Sequence, residues 1–228
     1  MEVSIQPDRA TLARTAAELI ASRAADGPFT LGLAGGSTPA DTYDELHHVD
    51  MDWSQVSLWL SDERWVAPDD PESNGRMALD HLPLAAANRL VRPRHSRYLT
   101  PADSAVHYDA ALRRIHGDDR PDLVLLGMGT DGHTASLFGG TDALEAEPHR
   151  WFVANHVPAL DTWRLTVTPS LLRSARRVVV LVSGTAKAQV LAEVLDGPDD
   201  VYPIQILRHA EGEVTFICDS EAAAGLSR

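Results

Sequence analysis

Short apolar runs alternate along the chain with amphipathic stretches, and these two patterns predict strands and helices in turn. The predicted strands, bounded by glycine, proline or polar residues, cover 29–33, 56–60, 123–126, 151–154, 163–168, 178–182 and 214–218. The predicted helices cover 8–24, 39–46, 73–82, 102–116, a short segment from Pro169, a segment that begins with Ser183–Lys187 and runs to Leu195, and 221–226. No repeat and no linker rich in Pro, Gly or Ser interrupts them. The alternation predicts one α/β domain over residues 1–228, with a doubly wound, mostly parallel sheet flanked by helices in a Rossmann-like three-layer sandwich.

Composition places the chain among globular proteins. Of its 228 residues, 44% are hydrophobic and 23% are charged, which is enough apolar material for a core. No apolar run approaches the roughly 20 residues that span a membrane. The first five residues lack a basic-then-apolar leader, and Cys218, as the single cysteine, excludes an internal disulfide. These features predict a cytoplasmic protein.

The net charge limits the partners that the protein is expected to have. Lys and Arg total 20 against 33 Asp and Glu, which gives −13. Such a chain is not expected to bind nucleic acid or an anionic membrane surface. An anionic substrate would have to be captured by local basic groups and helix termini. The oligomeric state is left open between a monomer and a weak dimer.

The most informative stretch, 122–138, joins a predicted buried strand to a turn with three glycines and then to the predicted start of a helix at 134–138. Asp131 and His133 lie in that turn, where the carboxylate can orient the imidazole and the imidazole can move a proton near neutral pH. The alternative is an ordinary Asp-Gly turn beside a surface histidine. The glycines fit a dinucleotide fingerprint only loosely, and they lie mid-chain rather than after the first strand.

A second glycine loop follows the strand 29–33, which is predicted to be the first of the sheet. Its sequence, Ala34-Gly35-Gly36-Ser37-Thr38-Pro39, leads into a helix that Ser37 or Thr38 is expected to cap. Free amides at a helix N-terminus favour an anion such as phosphate. No lysine stands where a Walker loop requires one. A capped turn without a ligand is the alternative.

Three further segments supply charged candidates. Asp62, Glu63 and Arg64 follow the strand 56–60, where the crevice of an open sheet is expected. Arg64 is a candidate for holding an anion or an oxyanion, and the two acids are candidates for sugar hydroxyls. Arg164, on an alternating strand, and Lys187, in the turn after 178–182, are candidates for closing a phosphate site. Each of these charges is otherwise a solvated surface group.

Taken in order, these blocks resemble those of the glucosamine-6-phosphate isomerase/6-phosphogluconolactonase family. The matching blocks are Gly35–Pro39, Ser61–Arg64, Gly127–Phe138, Arg164–Thr168 and Ser183–Lys187. The Asp131-Gly-His-Thr-Ala-Ser and Asp62-Glu-Arg sequences favour the lactonase branch over the deaminase branch. The resemblance implies hydrolysis of 6-phospho-D-glucono-1,5-lactone to 6-phosphogluconate, in the pentose phosphate pathway, without a metal or an organic cofactor.

The resemblance also implies roles for the candidates. His133 would be the general base on water, Asp131 would orient it, Arg64 would contact the substrate or oxyanion, and Asp62 would hold sugar hydroxyls or place the water. The phosphate would be bound by Gly35, Gly36, Ser37, Thr38, Arg164 and Lys187.

Two other functions remain open. A phosphosugar deaminase or isomerase would use an acid such as Asp62 to abstract a proton from carbon, with ring opening by His133. A non-catalytic sugar-phosphate sensor would carry a helix-turn-helix segment and a basic patch, whereas this acidic chain begins almost directly with the fold.

Overall fold

A seven-stranded sheet, parallel at every pair of neighbouring strands, forms the centre of the computed structural model, which describes residues 1–117 and 119–227. The strands in chain order are β1 (Glu2–Gln6), β2 (Phe29–Leu33), β3 (Val56–Leu60), β4 (Asp62–Arg64), β5 (Leu90–Val91), β6 (Leu123–Gly127), β7 (Phe152–Val157), β8 (Thr162–Val167), β9 (Arg177–Val182) and β10 (Glu213–Asp219). The central sheet has the order β1-β10-β9-β6-β2-β3-β5.

Helices cover both faces of this sheet. They are α1 (Arg9–Ala24), α2 (Ser37–Glu45), α3 (Asn74–His81), α4 (Leu84–Ala87), α5 (Pro101–His116), α6 (Pro169–Ser174) and α7 (Ala188–Asp196). Side-chain caps fix several of their starts, because a cap oxygen satisfies an amide that has no partner within the helix. Asp8 accepts from the Thr11 amide, Ser73 from that of Arg76, and Thr100 forms a capping box with Asp103.

The core lies on both faces of the central sheet, and β9 shows why. Its alternate residues Val178, Val180 and Val182 pack with side chains of α5, α6 and α7. The residues between them, Val179 and Leu181, pack with side chains of α1 and α2. A strand buried on both faces is apolar throughout, as the sequence of β9 is. The predicted doubly wound, three-layer fold is thereby confirmed.

The strand order changes direction at the centre of the sheet. From β2 the chain proceeds through β3 to β5 at one edge, and from β6 through β9 to β10, which lies next to the other edge strand, β1. The loops that follow β2 and β6 therefore diverge at their carboxyl ends. Ligands of doubly wound sheets bind at such a switch point.

A small antiparallel sheet, β4-β8-β7, lies beside the central sheet. The segments 151–154 and 163–168 are strands as predicted, but β7 and β8 pair with each other in this small sheet and not in the central one. A tight connection through Asp161, whose φ is +46°, makes them a hairpin, and a hairpin pairs antiparallel. β4 adds to β8 with Arg64 opposite Arg164.

Three other predictions of local structure need correction. The strand 29–33 is not the first, because β1 precedes it and pairs with β10 at the edge of the sheet. The segment 134–138 is not helical, since Ala135 has a φ of +48° and Thr134 and Leu137 form an isolated bridge. The segment 221–226 contains a 3₁₀ helix, Ala222–Gly225.

No helix within residues 1–117 and 119–227 combines the length and the apolar character that crossing a membrane requires.

Candidate active site

A cavity of about 240 Å³ lies at the switch point of the central sheet. It is lined by the loops after β2 and β6, the small sheet, the start of α3 and the turn before α7, through Ala34, Gly35, Gly36, Asp62, Arg64, Asn74, Gly127, Met128, Gly129, His133, Ala135 and Lys187. The structure thus brings together six of the predicted site residues, which are Gly35, Gly36, Asp62, Arg64, His133 and Lys187. The other four predicted residues, Ser37, Thr38, Asp131 and Arg164, lie outside this lining.

His133 and Asp131 form a hydrogen-bonded pair. The Nδ1 of His133 lies 2.5 Å from Oδ1 of Asp131, and the same oxygen accepts from the His133 amide at 3.2 Å. With Nδ1–H donated to the carboxylate, Nε2 is the ring nitrogen left to take a proton. The ring also stacks on Phe138, with centroids 4.2 Å apart, which fixes its plane. The pair has the arrangement of a base and the acid that orients it.

Glycine at position 129 makes room for this pair. A Cβ on Gly129 would lie 2.2 Å from Nδ1 of His133 and 2.4 Å from Oδ1 of Asp131. The Gly129 amide donates to the His133 carbonyl at 2.8 Å, which closes the loop beneath the ring. Gly132 takes the left-handed conformation, with a φ of +71°, where other residues are strained. The space needed at position 129 and the left-handed conformation at position 132 account for these two glycines, so a dinucleotide fingerprint is not needed to explain them.

The environment of Asp131 keeps it ionised. Burial acts to raise the pKa of its carboxyl, but the hydrogen bond and the charge of His133 outweigh burial, and the net pKa is lowered. An ionised Asp131 can stabilise the imidazolium that forms when His133 takes a proton.

Asp62 is a buried carboxylate in the cavity wall. Its Oδ2 accepts from the Ser136 hydroxyl at 2.6 Å, and its Oδ1 accepts from the Asn74 amide group at 3.0 Å. These two bonds fix the plane of the carboxylate and leave lone pairs for a sugar hydroxyl or a water. They also explain why 134–138 is not a helix, because Ser136 is further tied to β8 through the Thr166 hydroxyl and to β7 through Asn155.

Asn74 is a site residue that the sequence analysis missed. Its Nδ2 donates to Asp62, and its Oδ1 accepts from Nη1 of Arg64. It therefore joins the carboxylate to the guanidinium. A Cβ on Gly35 would lie 1.9 Å from the Asn74 Oδ1, so glycine at 35 is needed for this approach. The Ser73-Asn74 pair signals only a helix start in the sequence, since neither residue predicts a contact with the distant Asp62.

Glu63 is not free to hold a sugar hydroxyl, although its sequence position allowed that role. Its carboxylate accepts from the Arg64, Asn74 and Gly75 amides and from the Ser73 hydroxyl, at 2.7 to 3.0 Å. Burial raises the pKa of this group, and the three backbone amides offset part of the rise. Glu63 therefore stabilises the N-terminus of α3 by accepting hydrogen bonds from its first amides.

The loop after β2 has the geometry predicted for an anion site, with a different cap. Gly36 is the N-cap of α2, at a φ of +104°, and no side chain caps the helix. Ser37 and Thr38 form its first turn, so their amides lack partners within the helix. The predicted caps Ser37 and Thr38 are thus wrong, because the extended and left-handed backbone at 35–36 starts the helix one residue earlier.

Lys187 brings a cation to the same cavity. It ends a 3₁₀ turn, Thr185–Lys187, directly before α7. Burial lowers the pKa of its ammonium, and the nearby Asp131 carboxylate offsets part of the effect. In the described part of the chain its ammonium has no hydrogen bond or ion pair within 4 Å. A half-buried cation of this kind is available to an anionic ligand.

Arg164 lies next to Arg64, its partner across β4 and β8. Among the described residues its buried Nε and Nη1 atoms find no hydrogen-bond partner. Burial lowers the pKa of Arg164, and the charge of Arg64 lowers it further. Two adjacent guanidinium groups with free donors suit an anion with several oxygens.

Residues 1–117 and 119–227 contain no cluster of three or more His, Cys, Asp and Glu side chains arranged to hold a metal ion.

Comparison with known proteins gives a consistent result. The family model described as glucosamine-6-phosphate isomerases/6-phosphogluconolactonase matches residues 7–216. A 6-phosphogluconolactonase from a Nostoc species is 33% identical, over 99% of this chain and 98% of its own. One from Rhizobium meliloti is 37% identical over 85% and 86%. The structure of 6-phosphogluconolactonase from Trypanosoma cruzi superposes with a TM-score of 0.88 at 29% identity, covering 100% of this chain and 97% of that one.

Proposed function

The chain belongs to the family of glucosamine-6-phosphate isomerases and 6-phosphogluconolactonases, and we propose that it hydrolyses 6-phospho-D-glucono-1,5-lactone to 6-phosphogluconate. Relatives that align over nearly the whole chain are 6-phosphogluconolactonases. The observation that carries the mechanism is the Asp131–His133 pair beside a cavity that Lys187 and the loop after β2 also line. Together these groups supply a base and a cationic anchor for a phosphorylated ring ester.

His133 activates the water. Its Nε2 takes a proton from water while the water oxygen attacks the lactone carbonyl carbon. Asp131 holds Nδ1–H and stabilises the imidazolium. When the tetrahedral intermediate collapses, the ring oxygen leaves and takes the proton back from His133. One water is consumed, and the product is the open-chain carboxylic acid.

Cationic groups bind the other parts of the substrate. In this proposal Arg64 contacts the substrate or the developing oxyanion, which is supported by its position in the cavity lining, where the Glu72 carbonyl and Asn74 hold it. Asp62 accepts a sugar hydroxyl. The phosphate is bound by the amides of the Gly35–Thr38 loop, by Lys187 and, next to Arg64, by Arg164. Helix N-termini and cations together favour such a dianion.

The test is lactone opening by the purified protein, with freshly generated lactone and a coupled downstream dehydrogenase. The rate without enzyme is subtracted, because the lactone also opens spontaneously. We expect His133→Ala to lower kcat roughly 10²- to 10⁴-fold, with binding of 6-phosphogluconate retained. The matched control is His149→Ala, since the side chain of His149 is exposed and pairs with Glu147 on the surface. Equal kcat in wild type and His133→Ala would remove His133 from the role of base.

The assay also distinguishes a lactonase from a member of the deaminase branch of the family. A deaminase or isomerase would require Asp62 to remove a proton from carbon, and Asp62 does line the cavity. If the wild type fails to accelerate lactone opening, ammonia release from glucosamine 6-phosphate is measured next. Ammonia release without lactone opening would assign the chain to the deaminases.

A further inference from the structure

A second cavity, larger than the catalytic one, adjoins it at Arg64. Its volume is about 540 Å³, within the range of small-molecule sites. Trp65, Arg92, Arg94 and His95 form part of its wall, and Arg64 lines both cavities. An anion that moves from one cavity to the other therefore stays within reach of the same guanidinium.

The segment that supplies this wall is basic, although the whole chain carries a net charge of −13. Residues 81–102 contain no Asp or Glu and include four arginines, Arg89, Arg92, Arg94 and Arg97. A local excess of one charge on a protein of the opposite charge is a feature that the catalytic mechanism leaves unexplained.

Two of the four arginines have structural partners. Arg89 donates to the carbonyls of Val56 and Ser54 at 2.8 and 2.9 Å, and Arg97 donates to the Tyr98 hydroxyl. The guanidinium groups of Arg92 and Arg94, by contrast, form no hydrogen bond and no ion pair within 4 Å anywhere in residues 1–117 and 119–227. These two cations are thus free to bind a ligand.

Gly75 leaves room for the side chain of Arg92 in this wall. A Cβ on Gly75 would lie 2.6 Å from Cδ of Arg92, so the absence of a side chain at 75 lets the arginine lie over the start of α3. Glu63 is the only carboxylate among the described lining residues. Its oxygens accept from three backbone amides and a hydroxyl, as described above, and they form no ion pair within 4 Å with Arg92 or Arg94. Trp65 and His95, with ring centroids 4.5 Å apart, add an aromatic wall.

We propose that this pocket, formed by Arg92, Arg94, Trp65 and His95, is a capture site that holds the phosphorylated lactone by its phosphate before the lactone enters the catalytic cavity. The identity of the ligand rests on the proposed function. A phosphate dianion is repelled by a chain of charge −13, and the guanidinium groups of Arg92 and Arg94, which lack hydrogen-bond and ion-pair partners among the described residues, oppose that field beside the catalytic cavity. Such local fields raise the rate of productive encounter.

Kinetics at varied salt test the capture. We expect the double variant Arg92→Gln/Arg94→Gln to lower kcat/KM roughly tenfold at low ionic strength, with kcat unchanged. The difference should disappear near 1 M salt, where the screening length is about 3 Å.

The matched control is Arg120→Gln/Arg177→Gln. It removes the same charge next to the amino ends of β6 and β9, at the opposite end of the strands from the site. Equal kcat/KM in the two double variants would overturn the proposal, because the effect would then follow net charge and not position.

A binding measurement tests the pocket without lactonase activity. The indole N–H signal of Trp65, assigned with Trp65→Phe, is followed by NMR during titration with 6-phosphogluconate and with inorganic phosphate. We expect both anions to shift it in the wild type and neither to shift it in Arg92→Gln/Arg94→Gln. An unchanged shift in the double variant would overturn the capture site. A shift in a wild type that does not open the lactone would retain an anion site here and reject the proposed function.

Discussion

At the scale of single residues, the site depends on neutral side chains that position charged ones. Asp62 and Arg64 were predicted from their place after a buried strand. Neither the sequence spacing nor the chemistry of Asn74 indicates that its amide joins them. The link exists because α3 starts beside β4, which brings residue 74 next to residue 62. Such a contact depends on tertiary packing, so it is not visible in a single sequence.

Asn74 gives a prediction at this scale. Asn74→Ala leaves Asp62 with one of its two side-chain donors and deprives Arg64 of an acceptor. Hydrogen bonds to charged groups contribute about 1.5–3 kcal/mol, so kcat/KM should fall roughly 10- to 100-fold. Asn88→Ala, at an exposed position that ends α4, is the control. A folded Asn74→Ala protein with kcat/KM within about twofold of wild type would contradict the role, since such a change is far below the expected loss.

At the scale of elements, long patterned segments were predictable and short ones were not. The helices at 8–24, 73–82 and 102–116 were found within one or two residues, because capping residues mark their starts. β4 was missed as a strand because three charged residues show no alternation to detect. The helix predicted at 134–138 was wrong because tethers to β4, β7 and β8 override the local propensity of Thr-Ala-Ser-Leu-Phe.

His116, the last residue of α5, is expected to make the stability of the fold depend on pH. His116 is buried between Trp59 and Trp151, at ring distances of 5.5 and 5.6 Å. Among the described residues, neither of its ring nitrogens has a hydrogen-bond partner. Burial lowers the pKa of His116 to about 4, and attraction to Asp122 and Asp119 offsets only part of this. The folded protein therefore holds the ring neutral.

This arrangement predicts a loss of stability at acid pH. The unfolded chain binds a proton at His116 near its ordinary pKa of 6.5, and the folded chain binds it only near 4. Between these values the unfolded state holds more protons, so the free energy of unfolding falls as the pH falls, by up to about 1.4 kcal/mol per unit. Urea unfolding of wild type and His116→Phe at pH 7.5, 6 and 5 measures this difference. A smaller loss is expected for His116→Phe, and equal losses would contradict the assignment.

At the scale of the whole molecule, two sheets meet to form one site. The central sheet supplies the loops after β2 and β6, and the small antiparallel sheet supplies Arg64 and Arg164. The sequence predicted the first contribution, because glycine loops after buried strands are local signals. It also named Arg64 and Arg164 as candidates, but it did not predict the small sheet that brings them together, because the pairing of β4 with β8 joins residues about a hundred positions apart. In the protein without ligand, the repulsion between Arg64 and Arg164 and the burial of Arg164 lower the stability of the fold.

Arg164 shows this cost most clearly, because its buried Nε and Nη1 have no described partner and it faces Arg64. Unpartnered buried polar groups cost about 1–3 kcal/mol each, so Arg164→Met should raise the melting temperature of the unliganded protein. The same change should reduce the stabilisation by 6-phosphogluconate, which for wild type is about 2.7 kcal/mol at a hundredfold excess over Kd. Calorimetry with and without this ligand measures both effects, with Arg177→Met as the surface control. A destabilised Arg164→Met protein with an undiminished ligand effect would show that Arg164 serves the fold and not the phosphate.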